Sequence, residues 1–198
     1  GVRKADRSAH ESASRGDRTM THPAIEFLHL LDPSSEARFS IETYTDKKDK
    51  PKSDPLSKRF VDCSHEGVEA LLPELEALND NGAAIYVAVN EFNGQRKISN
   101  LLKVRGVHAD LDGATKQQLQ RLRETLPPTI AIQSSVAEKQ HWYWLLAEGE
   151  TLDGESAKAI NQRFVELGAD PAAVDVARLL RLPGFRHMKH FSKDDKNA

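Results

Sequence analysis

LLKVRGVHADLDG, residues Leu101 to Gly113, is an apolar run that ends on two carboxylates one residue apart, Asp110 and Asp112. Val104, Val107 and Leu111 are residues of a buried strand, and the period of two along a strand puts Asp110 and Asp112 on one face. Neighbouring carboxylates on a core strand repel each other and are costly to desolvate. They therefore sit either at an exposed strand end that leads into a turn or helix cap, or at the mouth of a cleft where a cation neutralises them. Gly113 is placed to let the chain turn away.

The flanking chain supplies alternating elements. Upstream, AAIYVAV (Ala83 to Val89) is a second buried strand, joined to the first by the turn-rich NEFNGQR (Asn90 to Arg96). Before it, Val68, Leu71, Leu72, Leu75 and Leu78 recur at helical spacing between Ser64 and Asn79, with Asn79 to Gly82 closing the helix. Ala37 to Thr45 alternates as a half-buried strand, and a short helix from His22 is stopped by Asp32 and Pro33. Asp46 to Arg59 reads as a charged, proline-containing surface loop. Downstream, Lys116 to Leu126 is a helix with Leu119 and Leu122 inward, ended by Pro127 and Pro128. Thr129 to Gln133 and His141 to Ala147 form an antiparallel pair across the loop Ser134 to Gln140. One helix starts at Asp153 or Gly154 and runs to Leu167, and another runs from Asp170 to about Leu180. Residues 1–20 carry almost no large apolar side chains and read as a disordered tail. Residues 191–198 read as a charged tail or the start of a linker, leaving 21–190 as the folded domain. Helices interspersed with strands, a hairpin among them, predict an α/β or α+β domain with a mixed sheet.

Composition narrows the class. At 198 residues with 38% hydrophobic content, the chain is long enough to bury a real core. A net charge of −2 with 29% charged residues excludes a basic nucleic-acid coat, so any polyanion site must be a local patch. The single cysteine, Cys63, excludes an internal disulfide and a Cys-rich zinc module and fits a reducing cytoplasm. No apolar run is long enough to span a membrane and no signal-peptide pattern is seen, so a soluble cytoplasmic protein without a membrane partner is expected.

Two further stretches bear on the carboxylate pair. In QSSVAEKQHWYW (Gln133 to Trp144), one strand ends on Ser134 and Ser135 and the next opens on His141. His141 and Tyr143 project to one face, Trp142 and Trp144 to the other. An imidazole beside two hydroxyls can donate hydrogen bonds to a phosphate, or it can be a structural histidine at a strand start. In DVARLLRLPGFRHMK (Asp175 to Lys189), a spacing of three puts Asp175 and Arg178 on one helical face with Arg181 close behind, while Leu179, Leu180 and Leu182 pack inward. This is either a simple helical ion pair or a metal-binding carboxylate whose cationic neighbours hold phosphates. Phosphoryl transfer from a nucleoside triphosphate needs carboxylates for two metal ions roughly 4 Å apart, and cations for the outer phosphates. Asp110, Asp112 and Asp175 meet the first need. Ser135, His141, Arg178, Arg181 and Lys189 meet the second.

In that order, VHADLD, QSSVAEKQHWYWLL and DVARLLRLPGFRHMK resemble the motifs of the archaeo-eukaryotic primase superfamily, most closely those of its RepB-like primase and primase-polymerase branch from plasmids, phages and other mobile elements. The resemblance runs from about His22 to Lys189. It implies a primase-polymerase catalytic core with an RRM-like mixed sheet and an N-terminal α/β lobe. The implied activity is template-dependent nucleotidyl transfer on single-stranded DNA, primer synthesis included, from NTPs or dNTPs with two Mg²⁺ or Mn²⁺ ions. By the same resemblance Asp110 and Asp112 are first-motif metal ligands, His141 contacts the incoming triphosphate, and Asp175 completes the metal site. Ser135, Arg178, Arg181 and Lys189 fall on the nucleotide side. A helicase or other replication module in a longer protein is the implied partner. The sequence departs from the family in its loop Val136 to Gln140, where relatives carry a shorter glycine-containing turn, and it has no zinc-binding Cys/His cluster. Two other functions stay open on the residues. One is a metal-dependent nuclease or strand-nicking initiator with Tyr143 as candidate nucleophile. The other is a non-catalytic single-strand binder using an RRM-like sheet.

Overall fold

Strand alternation builds two larger antiparallel sheets and a two-stranded ribbon in the computed structural model, which describes residues 21–46, 53–134 and 139–190. The elements run α1 (Pro23–Leu31), β1 (Phe39–Thr45), β2 (Lys58–Cys63), α2 (His65–Asp80), β3 (Ala83–Ala88), β4 (Glu91–Phe92), β5 (Leu101–Lys103), β6 (Gly106–Asp110), α3 (Lys116–Thr125), β7 (Ile130–Gln133), β8 (Gln140–Leu145), α4 (Gly154–Val165) and β9 (Leu179–Arg181). Single 3₁₀ turns cover Ile98–Asn100, Pro171–Ala173 and Met188–His190. The helix starts follow from capping: the Ser64 hydroxyl accepts from the Gly67 amide, and Thr115 with Gln118 forms a reciprocal capping box.

The first sheet has the order β2-β1-β3-β9. One face, with Phe39, Ile41, Ile85, Val87 and Leu180, packs on α1 and α2 through Phe27, Leu28, Val68 and Leu75. The register sets Glu42 opposite Tyr86 and Tyr86 opposite Arg181, so these side chains share the other face with Tyr44. The second sheet has the order β6-β8-β7. β6, α3 and β7 form a crossover with β8 inserted between the two strands, a split βαβ arrangement. Trp142 pairs with Ala109 and Trp144 with Val107, and this face packs on α3 and α4 through Leu119, Leu122, Ala157 and Phe164. Tyr143 and Ile130 point the other way, into the first core, where Tyr143 meets Phe27 edge to face at 5.4 Å.

The α+β class and the β7–β8 hairpin are as expected, and five details are corrected. Every strand pairing among the described residues is antiparallel rather than mixed, because β8 takes the place beside β6 that a parallel β7 would have filled. Leu101 to Gly113 is two strands, β5 and β6, and the second starts where Gly106 lies so close to β8 that an added Cβ would be 2.3 Å from the Trp144 carbonyl. Gly113, by contrast, is not needed for its turn: a Cβ there would meet nothing nearer than the Gly168 carbonyl at 3.9 Å. Asp170 to Leu180 is a 3₁₀ turn followed by β9, since Leu180 and Leu182 pack inward two residues apart while Leu179 and Arg181 face away. The charged stretch Asp46 to Arg59 is in part β2, an edge strand with an exposed burial pattern, and in part outside the described residues. The two tails, 1–20 and 191–198, also lie outside the described residues. Among the described residues no helix is long and apolar enough to cross a membrane.

A buried ionic cluster fixes the base of β6. Arg105 Nε donates to Asp32 Oδ2 at 2.8 Å, and its Nη2 donates to Glu91 Oε2 at 2.8 Å and to the Arg38 carbonyl at 2.7 Å. Its guanidinium lies 4.7 Å from the centre of the Phe39 ring, and Lys103 adds a second cation to Asp32 at 3.0 Å. Arg105 and Asp32 side chains are only 1% and 4% exposed. Burial pushes the Asp32 carboxyl up, but Arg105 and Lys103 outweigh it and hold the group below its ordinary range. Asp32 therefore contributes stability at neutral pH that is lost as pH falls through its lowered folded value. Arg105→Ala takes the cation from Glu91 and leaves buried Asp32 with Lys103 alone, and chemical denaturation should show a loss of about 3 kcal/mol; a loss within the noise of surface substitutions would contradict this role.

Candidate active site

β6 ends at Asp110, and a turn closed by the Ala114 amide on the Leu111 carbonyl (3.0 Å) carries the chain away. Leu111 is fully buried, which anchors the turn, and the Asp112 amide donates to Asp110 Oδ1 at 3.3 Å. Across the ladder Asp110 pairs with His141, whose Nε2 lies 3.9 Å from Asp110 Oδ2. Ligand atoms of Asp110, Asp112 and His141 all fall within 4.8 Å of one another. The Ser134 hydroxyl donates to Asp112 Oδ1 at 3.1 Å, and Lys139 Nζ stands 3.7 Å from Asp112 Oδ2.

Burial, followed by the adjacent Asp112 carboxylate and then Asp170, pushes Asp110 up to about 6. Burial lowers His141 to about 4 against the pull of Asp112, so its imidazole is neutral at physiological pH. The His141 Nδ1 is buried with no hydrogen-bond partner among the described residues. Two crowded carboxylates and a neutral imidazole make a donor set short of positive charge, and it fits a hard divalent cation such as Mg²⁺ or Mn²⁺. Behind it, His108 is also kept neutral by burial, at about 4. Its amide donates to Asn161 of α4 at 3.0 Å, and its Nε2 lies 3.0 Å from the Ala173 carbonyl, which ties β6 to the turn before β9.

That turn brings a cationic wall opposite the carboxylates. A cavity of about 450 Å³ is lined by Asp110, Asp112 and His141 on one side and by Arg178, Arg181 and Lys189 on the other. Six of the eight residues singled out from sequence therefore meet in one space. Asp175 does not join the cluster. It lines an adjoining cavity of about 270 Å³ with Tyr44 and Arg96, and Tyr86, Arg178 and Leu179 border both. The strand conformation of β9, in place of a helix, accounts for this separation. Asp170 comes nearer, its amide donating to the Asp110 carbonyl at 2.8 Å. Ser135 lies outside the described residues, and its neighbour Ser134 makes the contact to Asp112. Tyr143 is wholly buried and its phenol is pushed far up by that burial, which removes it as a nucleophile on DNA. Phe185 packs beside His22, ring centres 5.2 Å apart, and against the first core. Lys139, Tyr86 and His187 were not legible as site residues: no periodicity marks them, and only the folded hairpin and β3–β9 pairing bring them here.

The family model described as the RepB DNA-primase N-terminal domain matches residues 56–197. Among solved structures, primase RepB′ superposes with a TM-score of 0.62 at 20% identity, over 85% of this chain and 52% of that one. The catalytic domain of primase RepB′ in complex with initiator DNA gives 0.61 at 20% identity, covering 84% of this chain and 78% of that one. The AEP domain of the cyanophage S-2L primase-polymerase gives 0.60 at 16% identity, covering 83% of each chain. The chain thus spans about half the length of the first of these, 52%. No curated protein matches by sequence.

If a cation relieves the Asp110–Asp112 repulsion, Mg²⁺ or Mn²⁺ at about 100 times its Kd should stabilise the parent by roughly 2.7 kcal/mol in thermal unfolding. The Asp110→Asn/Asp112→Asn variant should gain nothing from the ion. An equal gain in both proteins would put the ion elsewhere.

Proposed function

The chain belongs to the RepB DNA-primase N-terminal domain family, and from that membership we propose that residues 21–190 are a primase-polymerase catalytic domain acting by template-dependent nucleotidyl transfer on single-stranded DNA. The observation that carries the reading is the meeting of Asp110, Asp112 and His141 within 4.8 Å, across one cavity from Arg178, Arg181 and Lys189. A carboxylate pair facing a cationic wall is what in-line attack on a nucleoside triphosphate requires.

Asp110 and Asp112 would hold Mg²⁺ or Mn²⁺, which would supply Lewis-acid stabilisation to 3′-hydroxyl attack on the triphosphate. Asp175, in the adjoining cavity, and Asp170, whose charge bears on Asp110, are the further carboxylates available to a second ion. Neutral His141 donates to the incoming triphosphate from Nε2, the ring nitrogen on the Asp110 side, when the proton sits there. Arg178 and Arg181 offer planar forks to the outer phosphates, with Lys189 as a point charge and Ser135 as a hydroxyl donor. Ser134 and Lys139 orient the Asp112 carboxylate that would hold the ion.

The template strand runs over the open face of the first sheet. Tyr44 and Tyr86, ring centres 6.2 Å apart, present aromatic surface to bases, and Arg96 and Arg178 supply cations for the backbone. Such a domain makes primers in the replication of a plasmid, phage or other mobile element, from NTPs or dNTPs, joined to a helicase or other replication module in a longer protein. The burial of Tyr143 counts against a strand-nicking initiator that uses it.

Asp112→Asn should lower the rate of primer extension by about three orders of magnitude, the equivalent of roughly 4 kcal/mol, with an unchanged circular dichroism spectrum; retained extension would sink the assignment. Tyr44→Ala should weaken binding of single-stranded template about tenfold, within the range of one lost base stack, while leaving the KM for nucleotide unchanged. Equal losses for template and nucleotide would contradict the separate template track.

A further inference from the structure

We infer that Asp46 is a positioning residue for the triphosphate end of the cavity, acting through Arg181; the inference rests on the primase-polymerase reading. Asp46 follows the last residue of β1 and lies before the stretch matched by the family model, which begins at residue 56. Its side chain is 6% exposed, and its oxygens are directed at the chain leaving β9. Oδ1 accepts from Arg181 Nη2 at 2.7 Å, Oδ2 accepts from the Met188 amide at 2.8 Å, and the His187 ring nitrogen Nδ1 stands 3.7 Å from Oδ2. The Asp46 amide donates to the Gly82 carbonyl at 3.1 Å, which fixes the carboxylate to the loop before β3.

The arrangement holds Arg181 from two sides. Its guanidinium lies 5.3 Å from the centre of the Tyr86 ring, and the Asp46 carboxylate takes one of its Nη groups. An arginine so clamped keeps its remaining donors in a fixed plane, which is what a phosphate needs from a fork. The same carboxylate anchors Met188, between His187 and Lys189, so three cavity residues take their places from one acidic group. Without that group the carboxylates left in the cavity for Arg181 are Asp110 and Asp112. A guanidinium that falls onto them competes with the cation and leaves the phosphate site empty. The carboxylate itself does not touch the reacting atoms, so its loss should appear in nucleotide affinity and not in the chemical step.

The test is single-nucleotide extension of a primed single-stranded template with templating thymine, with ATP and dATP in separate reactions containing Mn²⁺, by the parent, Asp46→Asn, Asp46→Glu, Arg181→Ala and Asp46→Asn/Arg181→Ala. Asp46→Asn keeps an acceptor for the Met188 amide while removing the charge. It should raise the KM for nucleotide about tenfold, the worth of one charge-assisted hydrogen bond, with kcat changed less than about threefold. Asp46→Glu should recover most of the loss, and in the Arg181→Ala background Asp46→Asn should have no further effect on KM. An equal KM effect in both backgrounds, a fall in kcat with KM unchanged, or no effect in an active parent would overturn the role of Asp46 alone. A parent that neither extends the primer nor binds ATP or dATP would overturn the primase-polymerase reading and, with it, this one.

Discussion

Two carboxylates at the end of one strand, with Asp110 only 14% exposed, are the constraint around which the rest of the structure is arranged. Burial and mutual repulsion raise Asp110 to about 6, a cost that a fold does not carry at a strand end without a use for it. The surroundings limit the cost without removing it. The Asp112 amide turns back on Asp110, Ser134 and Lys139 attend Asp112, and His141 stays neutral beside them. Of these only Lys139 brings a full positive charge, and it stands beside Asp112 rather than Asp110; the further cations of the cavity are on β9 and the segments flanking it.

That separation depends on how the two sheets are held. β6 is fixed at its base by the buried Arg105 cluster, which joins the end of α1 and β4 to the residue just before the strand, and at its tip by buried Leu111. β9 is fixed by pairing with β3 and by Leu180 and Leu182 in the first core. His108 and Asn161 then link β6 to the turn before β9. The second sheet supplies the two carboxylates and the first, with the segment after it, most of the cations, and the interior packing decides the distance between them.

The parts legible in the sequence were those whose side-chain period is unambiguous. Val68, Leu75 and their neighbours mark α2 at helical spacing, and the alternation from His141 to Trp144 assigns Tyr143 and Trp142 to opposite cores, as found. The carboxylate pair was legible because its placement after an apolar run conflicts with burial. β9 was not, because RLLRL satisfies a helical and a strand period equally well, and only pairing with β3 selects the strand. The displacement of Asp175 from the carboxylate cluster follows from that one ambiguity. β2 was missed because an edge strand with exposed Lys58 and Arg59 lacks the alternation that marks a buried one. Asp46 and Arg181 meet across 135 residues, a contact that no local pattern encodes.

The most direct measurement gives the chain unprimed single-stranded DNA with labelled NTPs or dNTPs and Mg²⁺ or Mn²⁺, beside the Asp110→Ala/Asp112→Ala variant. Metal-dependent products from the parent and none from the variant are the predicted result. Equal product from both, or strand binding by the parent with no synthesis under either nucleotide and either ion, would contradict the assignment of this carboxylate pair as a nucleotidyl-transfer centre.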